Sequence, residues 1–209
     1  MLVQEPIIVA TDALLFLVVF HLLTILFKNY YNRTHYLFYL LAFLFIMLTA
    51  FCGILYHINK TEFFSYQKYG TMIFSGLIGT AVALAGIHDN FRKKQAFYLS
   101  FIPLIVLAIY YYYYFGVMKA YSFLPAVMMQ LFGVVTADIS YWRQRRTIKA
   151  RFIYAASFCA VAGGLFEALT FKVWIFNEDD FFHLFSALAV FLFFYAISTK
   201  LKNGAQPKE

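Results

Sequence analysis

The chain has 209 residues, 63% of them hydrophobic and only 13% charged, with a net charge of +7 and a mean hydropathy of +0.72. Soluble domains sit nearer 45–50% apolar and about 25% charged, and they must present a polar exterior. The composition therefore excludes a water-soluble fold, and the solvent on most faces is lipid.

A helix rising 1.5 Å per residue needs roughly 20 apolar residues to cross ~30 Å of hydrocarbon. Stretches of that kind recur at Ile7–Phe27, Tyr36–Tyr56, Gly70–Ile87, Phe97–Gly116, Tyr121–Tyr141, Phe152–Phe176 and Phe181–Thr199. They predict an all-α membrane protein, a seven-transmembrane helix bundle filling residues 1–200 as a single domain, ahead of a short basic tail at 201–209. The first run lacks a basic leader and is long enough to span, so it reads as a helix rather than a cleaved signal. The third span carries Gly70, Gly76, Gly79 and Gly86, which lower helix propensity but suit close helix contact in a membrane. His57–Tyr69 and Ser140–Arg151 read as the longest polar connections. Cys52 and Cys159 fall inside spans, so no disulfide framework is expected.

Basic residues alternate between the two ends. Lys28, Arg33, Arg92, Lys93, Lys94, Arg143, Arg145, Arg146, Lys149, Arg151, Lys200, Lys202 and Lys208 fall on one side, 13 of the 17 Lys and Arg. Lys60, Lys68, Lys119 and Lys172 fall on the other. The positive-inside rule then places the N-terminus out and the C-terminus in. The positive charge reflects topology and implies no nucleic acid, which would need a basic patch on an aqueous surface. The run Tyr110–Tyr114 lies near the outer end of the fourth span and reads as part of an interfacial aromatic belt.

Ionisable groups within spans are costly and mark functional positions. Asp12 lies about one and a half turns into the first helix. His57 closes the second, and Glu167 sits about two turns below the outer end of the sixth. Glu178, Asp179 and Asp180 lead into the seventh, which His183 opens. His57 continues a stripe with Gly53 and Thr49, and Glu167 has Gly163 and Ala160 on its face. All these groups gather at the outer end.

Two imidazoles and several carboxylates are a workable set for a divalent ion, and catalytic zinc usually keeps three protein ligands and one open position. His57, Asp179 and His183 are the expected ligands of a Zn2+ ion, with Glu167 or Asp12 as catalytic general base or partner. The same residues also fit plainer roles. Asp179 sits where carboxylates cap a helix N-terminus, and both histidines sit at helix ends, where they could be interfacial. His21 and Gln130 read as interhelical hydrogen-bonding residues. His35, His88, Asp89 and Asp138 lie near the basic face, where carboxylates can pair with Arg and Lys. Asn59-Lys60-Thr61 is a glycosylation sequon, meaningful only in a secretory pathway.

Phe51-Cys52-Gly53-Ile54-Leu55-Tyr56-His57 and Asp179-Asp180-Phe181-Phe182-His183-Leu184-Phe185, with Glu5-Pro6 and Asp12 opening the first helix, resemble motifs of the CREST superfamily. That group includes alkaline ceramidases and the adiponectin-receptor and hemolysin-III-like proteins. The resemblance covers the whole chain as topology and two short motifs as sequence. It implies a zinc-dependent lipid amide hydrolase. The family's pattern has a Ser where Gly53 stands, a His where Asp179 stands, and an Asp on the third helix where this chain has no acid between Glu62 and Asp89. Small bacterial seven-helix proteins are similar, which implies a bacterial inner membrane. Three readings follow: a CREST-like hydrolase acting on a lipid at the outer face, a receptor, lipid-binding or scaffold protein without the chemistry, and a small transporter. Membrane lipids are the expected partners in each.

Overall fold

Lipid offers no hydrogen bonds to the backbone, so long apolar runs must satisfy their own amides as helices. The computed structural model describes residues 5–30, 34–117, 124–168, 172–173 and 176–202, nearly all of them helical. The helices are α1 (Pro6–Tyr30), α2 (Thr34–Ile58), α3 (Lys60–Asn90), α4 (Lys93–Leu99), α5 (Phe101–Tyr111), α6 (Leu124–Tyr141), α7 (Ile148–Ala168) and α8 (Glu178–Lys202). Helices α4 and α5, with a π-helical turn over Tyr112–Val117, form one span. Seven segments are thus long and apolar enough to cross a membrane, and the chain is a multi-pass integral membrane protein.

Three expected boundaries move. The stretch His57–Tyr69 is not a loop, because Asn59 caps α3 and starts it at Lys60. The Asn59 side chain accepts from the Glu62 amide at 3.2 Å, which satisfies one orphan amide, and donates to the Glu62 carboxylate at 3.0 Å. The sequon asparagine is therefore a helix cap. The sixth span starts earlier than Phe152, because the Thr147 hydroxyl accepts from the Ala150 amide at 3.2 Å. It also ends earlier, at Ala168 rather than Phe176. Beyond it, two-residue strands β1 (Lys172–Val173) and β2 (Phe176–Asn177) pair antiparallel ahead of α8.

Helices α1, α2, α3, α6, α7 and α8 pack in that order into a ring, which the α8–α1 contact closes. The α4–α5 span stands outside it, chiefly against α3. The glycine-rich third span is thus the most enclosed of the seven. At Gly79 and Gly133 the backbones of α3 and α6 meet so closely that a Cβ on either would strike main-chain atoms of the other helix. Small residues permit this approach, and dispersion between the backbones replaces the hydrophobic drive that lipid cannot supply.

The tyrosine run divides instead of forming a uniform belt. Tyr110 and Tyr114 are buried, while Tyr112 is 74% exposed. The Tyr110 hydroxyl donates to the Met72 carbonyl at 2.8 Å, and Tyr111 donates to the Ile73 carbonyl at 2.7 Å. These bonds fasten the outlying span to α3. Leu17, Ile109, Ile139, Phe158 and Leu165 project outward, as side chains bathed in lipid do.

One end of the ring is closed by a buried polar knot. Asp89 accepts from Lys149, Tyr141 and Tyr39, and the Tyr39 and Tyr141 hydroxyls lie 2.9 Å apart. The expected pairing of Asp89 with the basic face is met by Lys149. Asp138 instead accepts from the Ser157 hydroxyl at 2.8 Å, and His88 meets the Ser100 hydroxyl at 3.0 Å. His21 lies on the exposed face of α1. The His35 side chain lies outside the described residues.

Candidate functional site

The opposite end of the ring gathers the polar groups of α1, α2, α3 and α8 about the mouth of a central cavity. Its volume is about 360 Å3, and all six ring helices line it. On α2 the lining runs Tyr39, Phe43, Ile46, Ala50, Gly53 and His57, a stripe at helical spacing. Eighteen residues at 1.5 Å each make that stripe about 27 Å long. The expected His57–Gly53–Thr49 face does look inward, since all three residues line the cavity.

Two hydrogen-bonded groups stand at the mouth. In the first, His57 Nδ1 lies 2.6 Å from Glu5 Oε2, and Lys60 Nζ donates to Glu5 Oε1 at 2.8 Å. The Glu5 amide also donates to the His57 carbonyl at 3.3 Å. Partial burial alone would raise the Glu5 carboxyl, but the hydrogen bonds and charges of Lys60 and His57 outweigh it and hold it below the usual carboxylate range. The α2–α3 turn brings this group together, since a single residue separates the two helices.

In the second, His183 Nε2 lies 3.1 Å from Asp12 Oδ1. The two groups are within hydrogen-bond reach of one another. His183 Nδ1 lies 3.3 Å from the Thr11 hydroxyl, which also lies 3.3 Å from Asp180 Oδ1 and 3.0 Å from the Ile8 carbonyl. Asp12 is 2% exposed and Asp180 1%. Such burial requires partners for each carboxylate oxygen. Asp12 Oδ2 has none among the described residues.

Gly53 explains how Asp12 fits. A Cβ at Gly53 would lie 2.6 Å from Asp12 Oδ2, 2.9 Å from Oδ1 and 3.0 Å from Cγ. Any side chain at position 53 would displace this carboxylate.

The expected residues thus reach one place but in different roles. His57, Asp179, His183 and Asp12 all line the cavity. Among the described residues, however, no three His, Cys, Asp or Glu side chains are grouped to hold a metal ion. Both ring nitrogens of His183 face protein partners, and His57 Nδ1 faces Glu5. His57 engages Glu5 through Nδ1 alone, the carboxylate backing that a zinc-bound imidazole ordinarily has, so it is His183, engaged at both nitrogens, that would have to give up a partner to hold an ion. Glu167 falls in the last turn of α7, and its side chain lies outside the described residues. Gln130 does form the expected interhelical bond, donating to the Ser75 hydroxyl at 3.0 Å.

Sequence reasoning missed Thr11, Lys60, Gln67 and Thr71. Lys60 stands three residues after His57, and Gln67, Thr71 and Ser75 recur every fourth residue. That spacing was the available signal, obscured by reading residues 57–69 as a loop.

Comparison with curated proteins and with solved structures gives no match. The sequence model of one family, described only as a family of unknown function (DUF6962), matches residues 7–202, and the chain belongs to that family.

Proposed function

We propose that this protein binds a membrane amphiphile in its central cavity, with the polar head among His57, Lys60, Asp12 and Asp179 and the chain down the apolar bore. The cavity carries the reading: it is ringed by six helices, with charged groups at one end and a mainly apolar lining of Ile46, Ala50, Ile78, Val134 and Val190 below, interrupted by the Gln130–Ser75 pair. A volume of about 360 Å3 stands at the low end of the ~300–1,000 Å3 of small-molecule sites, which suits one chain better than two. Basic residues concentrated at the opposite end support an orientation with the N-terminus and the cavity mouth outside, in the bacterial plasma membrane. A receptor or lipid carrier of this kind needs no catalytic group, and fold alone does not supply one.

Lipids extracted from protein purified in mild detergent and identified by mass spectrometry test the reading. Single-chain amphiphiles should copurify near stoichiometrically, and Val134→Trp, which fills the bore, should abolish their retention while the protein still melts cooperatively. Equal lipid content in wild type and Val134→Trp refutes it. Stoichiometric zinc lost on His57→Ala, together with lipid amide cleavage, would replace it with the hydrolase reading.

A further inference from the structure

A second concavity lies at the knot end of the ring and shares no lining residue with the bore. It is a groove of about 550 Å3 between the ends of α3 and α6 and the first turns of α7, with Asn90, Asp138, Ile139, Trp142, Arg143 and Tyr154 among its walls. Two chain turns make it. Helix α3 stops at Asn90, where Phe91 takes up extended backbone, and α6 tightens beyond Tyr141 into a 3-10 turn over Trp142–Gln144. Exposed basic residues follow each turn directly, Arg92, Lys93 and Lys94 after the first, Arg145 and Arg146 after the second.

The walls differ in kind. Ile139 and Trp142 are three residues apart and are 69% and 62% exposed. An indole at the end of a span belongs at the headgroup level, so this side of the groove is open to lipid. The other side is cationic. Arg143 lines the groove and is exposed. Arg145 is seated on the Trp142 wall, its guanidinium 4.9 Å from the indole centre and its Nη1 donating to the Trp142 carbonyl at 3.2 Å. Its charge also reaches Tyr154 across the groove. A guanidinium has five N–H donors, so that single bond leaves most of them for a ligand.

Nearby acids do not cancel this charge. Asp89 is taken up by Lys149, Tyr39 and Tyr141 inside the knot. Asp138 is the one carboxylate among the described lining residues, and its Oδ1 accepts from Ser157 on α7 at 2.8 Å. Among the described residues no ion pair ties Arg92, Lys93, Lys94, Arg143, Arg145 or Arg146 to a carboxylate. The positive-inside bias accounts for cations at this end, but not for a groove between three helices with a guanidinium fixed to its lipid-facing wall.

An occupant must bring negative charge and several acceptor oxygens, and must tolerate a hydrocarbon flank. A phosphodiester supplies oxygens that arginine forks bind, and basic pockets between membrane helices suit anionic headgroups. We infer that the groove binds an anionic phospholipid, its phosphodiester on Arg143 and Arg145 and its acyl chains along Ile139 and Trp142. The site is separate from the bore and does not depend on what the bore holds.

With Trp174 replaced by phenylalanine, Trp142 is the only tryptophan in the chain and reports on the groove wall. Full-length Trp174→Phe protein in phosphatidylcholine nanodiscs receives equal small fractions of phosphatidylglycerol or phosphatidylcholine brominated high on the acyl chains. Quenching is read against unbrominated discs. Brominated phosphatidylglycerol should be enriched at Trp142 at least three-fold over brominated phosphatidylcholine. Arg143→Gln and Arg145→Gln should each at least halve that preference. If Arg145→Gln, whose side chain also ties the turn, fails to fold, Arg143→Gln decides. Lys28→Gln removes the same charge from the same end, but on α1 across the ring, and should leave the preference intact. Inorganic phosphate replacing chloride at constant ionic strength should not displace the lipid. Equal quenching by the two lipids, or arginine variants that keep the preference, overturns the inference. So does a loss in Lys28→Gln as large as in the arginine variants, which means diffuse attraction. Loss of the preference to inorganic phosphate also overturns it, because the groove then takes the free anion.

Discussion

Replacing Gly53 by alanine probes the core of the site, because the added Cβ meets Asp12 at 2.6 Å from Oδ2 and 2.9 Å from Oδ1. Ordinary carbon–oxygen contacts are well beyond 3 Å, and a short, buried side chain cannot retreat as a long one would. Overpacking of this kind costs about 1–3 kcal/mol. Moving Asp12 would also stretch its 3.1 Å contact with His183, both partners being buried. Weakening that buried hydrogen bond adds about 1 kcal/mol, which sets the total near 2–4 kcal/mol. Against this, Gly→Ala in a helix interior is worth about 0.5–1 kcal/mol in favour of the helix. The sign of the result therefore depends on Asp12. In wild type Gly53→Ala should destabilise, and in an Asp12→Ala background, where the carboxylate is gone, it should be neutral or stabilising. Thermal or denaturant unfolding in detergent across the four proteins gives the coupling directly. Equal destabilisation in both backgrounds would show that Gly53 matters for some reason other than room for Asp12.

Further outcomes follow from the same packing. Asp89→Asn should destabilise by about 3–5 kcal/mol, since it leaves the Lys149 ammonium buried without its countercharge; Asp89→Leu combined with Lys149→Met should recover much of that loss in unfolding assays. Gly133→Val should impair folding severely, because its side chain would enter the Gly79 backbone, and fluorescence-detected size exclusion should show aggregated or absent protein. Tyr110→Phe should cost about 1 kcal/mol through the lost bond to the Met72 carbonyl, without effect on lipid retention. For Glu5 the folded carboxyl sits below its ordinary value of 4.5, so its contribution is full above that pH and fades as pH falls through the folded value. Melting curves taken between pH 6 and pH 3 should therefore show a loss below about pH 4.5 that Glu5→Gln lacks.

Hydropathy alone was enough to place seven spans, because the bilayer fixes how many apolar residues a crossing helix needs. It was least informative for α3, whose Gly, Ala, Ser and Thr residues read as a poor span and proved the most enclosed. A helix packed on several sides is chosen for smallness rather than for greasiness, and a hydropathy window measures only the second. The early start of α3 was written in Asn59 and Glu62 three residues apart, a capping pattern that the sequon obscured. Asp12, His57, Asp179 and His183 were legible as one cluster, since charges within spans stand out. Their pairing was not. Glu5 answers His57 and Asp12 answers His183 because two helix starts and one tight turn converge, and that convergence is a property of the ring.

The two ends of the bore differ in a way that separates carriage across the membrane from binding at one face. At the mouth, the Lys60 side chain is 42% exposed and Phe64 is 44% exposed, so this end of the lining reaches the surface. At the far end Tyr39 is 4% exposed and tied into the knot of Asp89, Tyr141 and Lys149, whose Asp89 side chain is 2% exposed. Opening that end means parting a buried ion pair, which costs about 3–5 kcal/mol, or an open population of roughly one in a hundred to one in several thousand. A ligand could offset this only through contacts made solely in the open form. The buried knot therefore argues for capture at one face, and a transport cycle would have to part it on every turn.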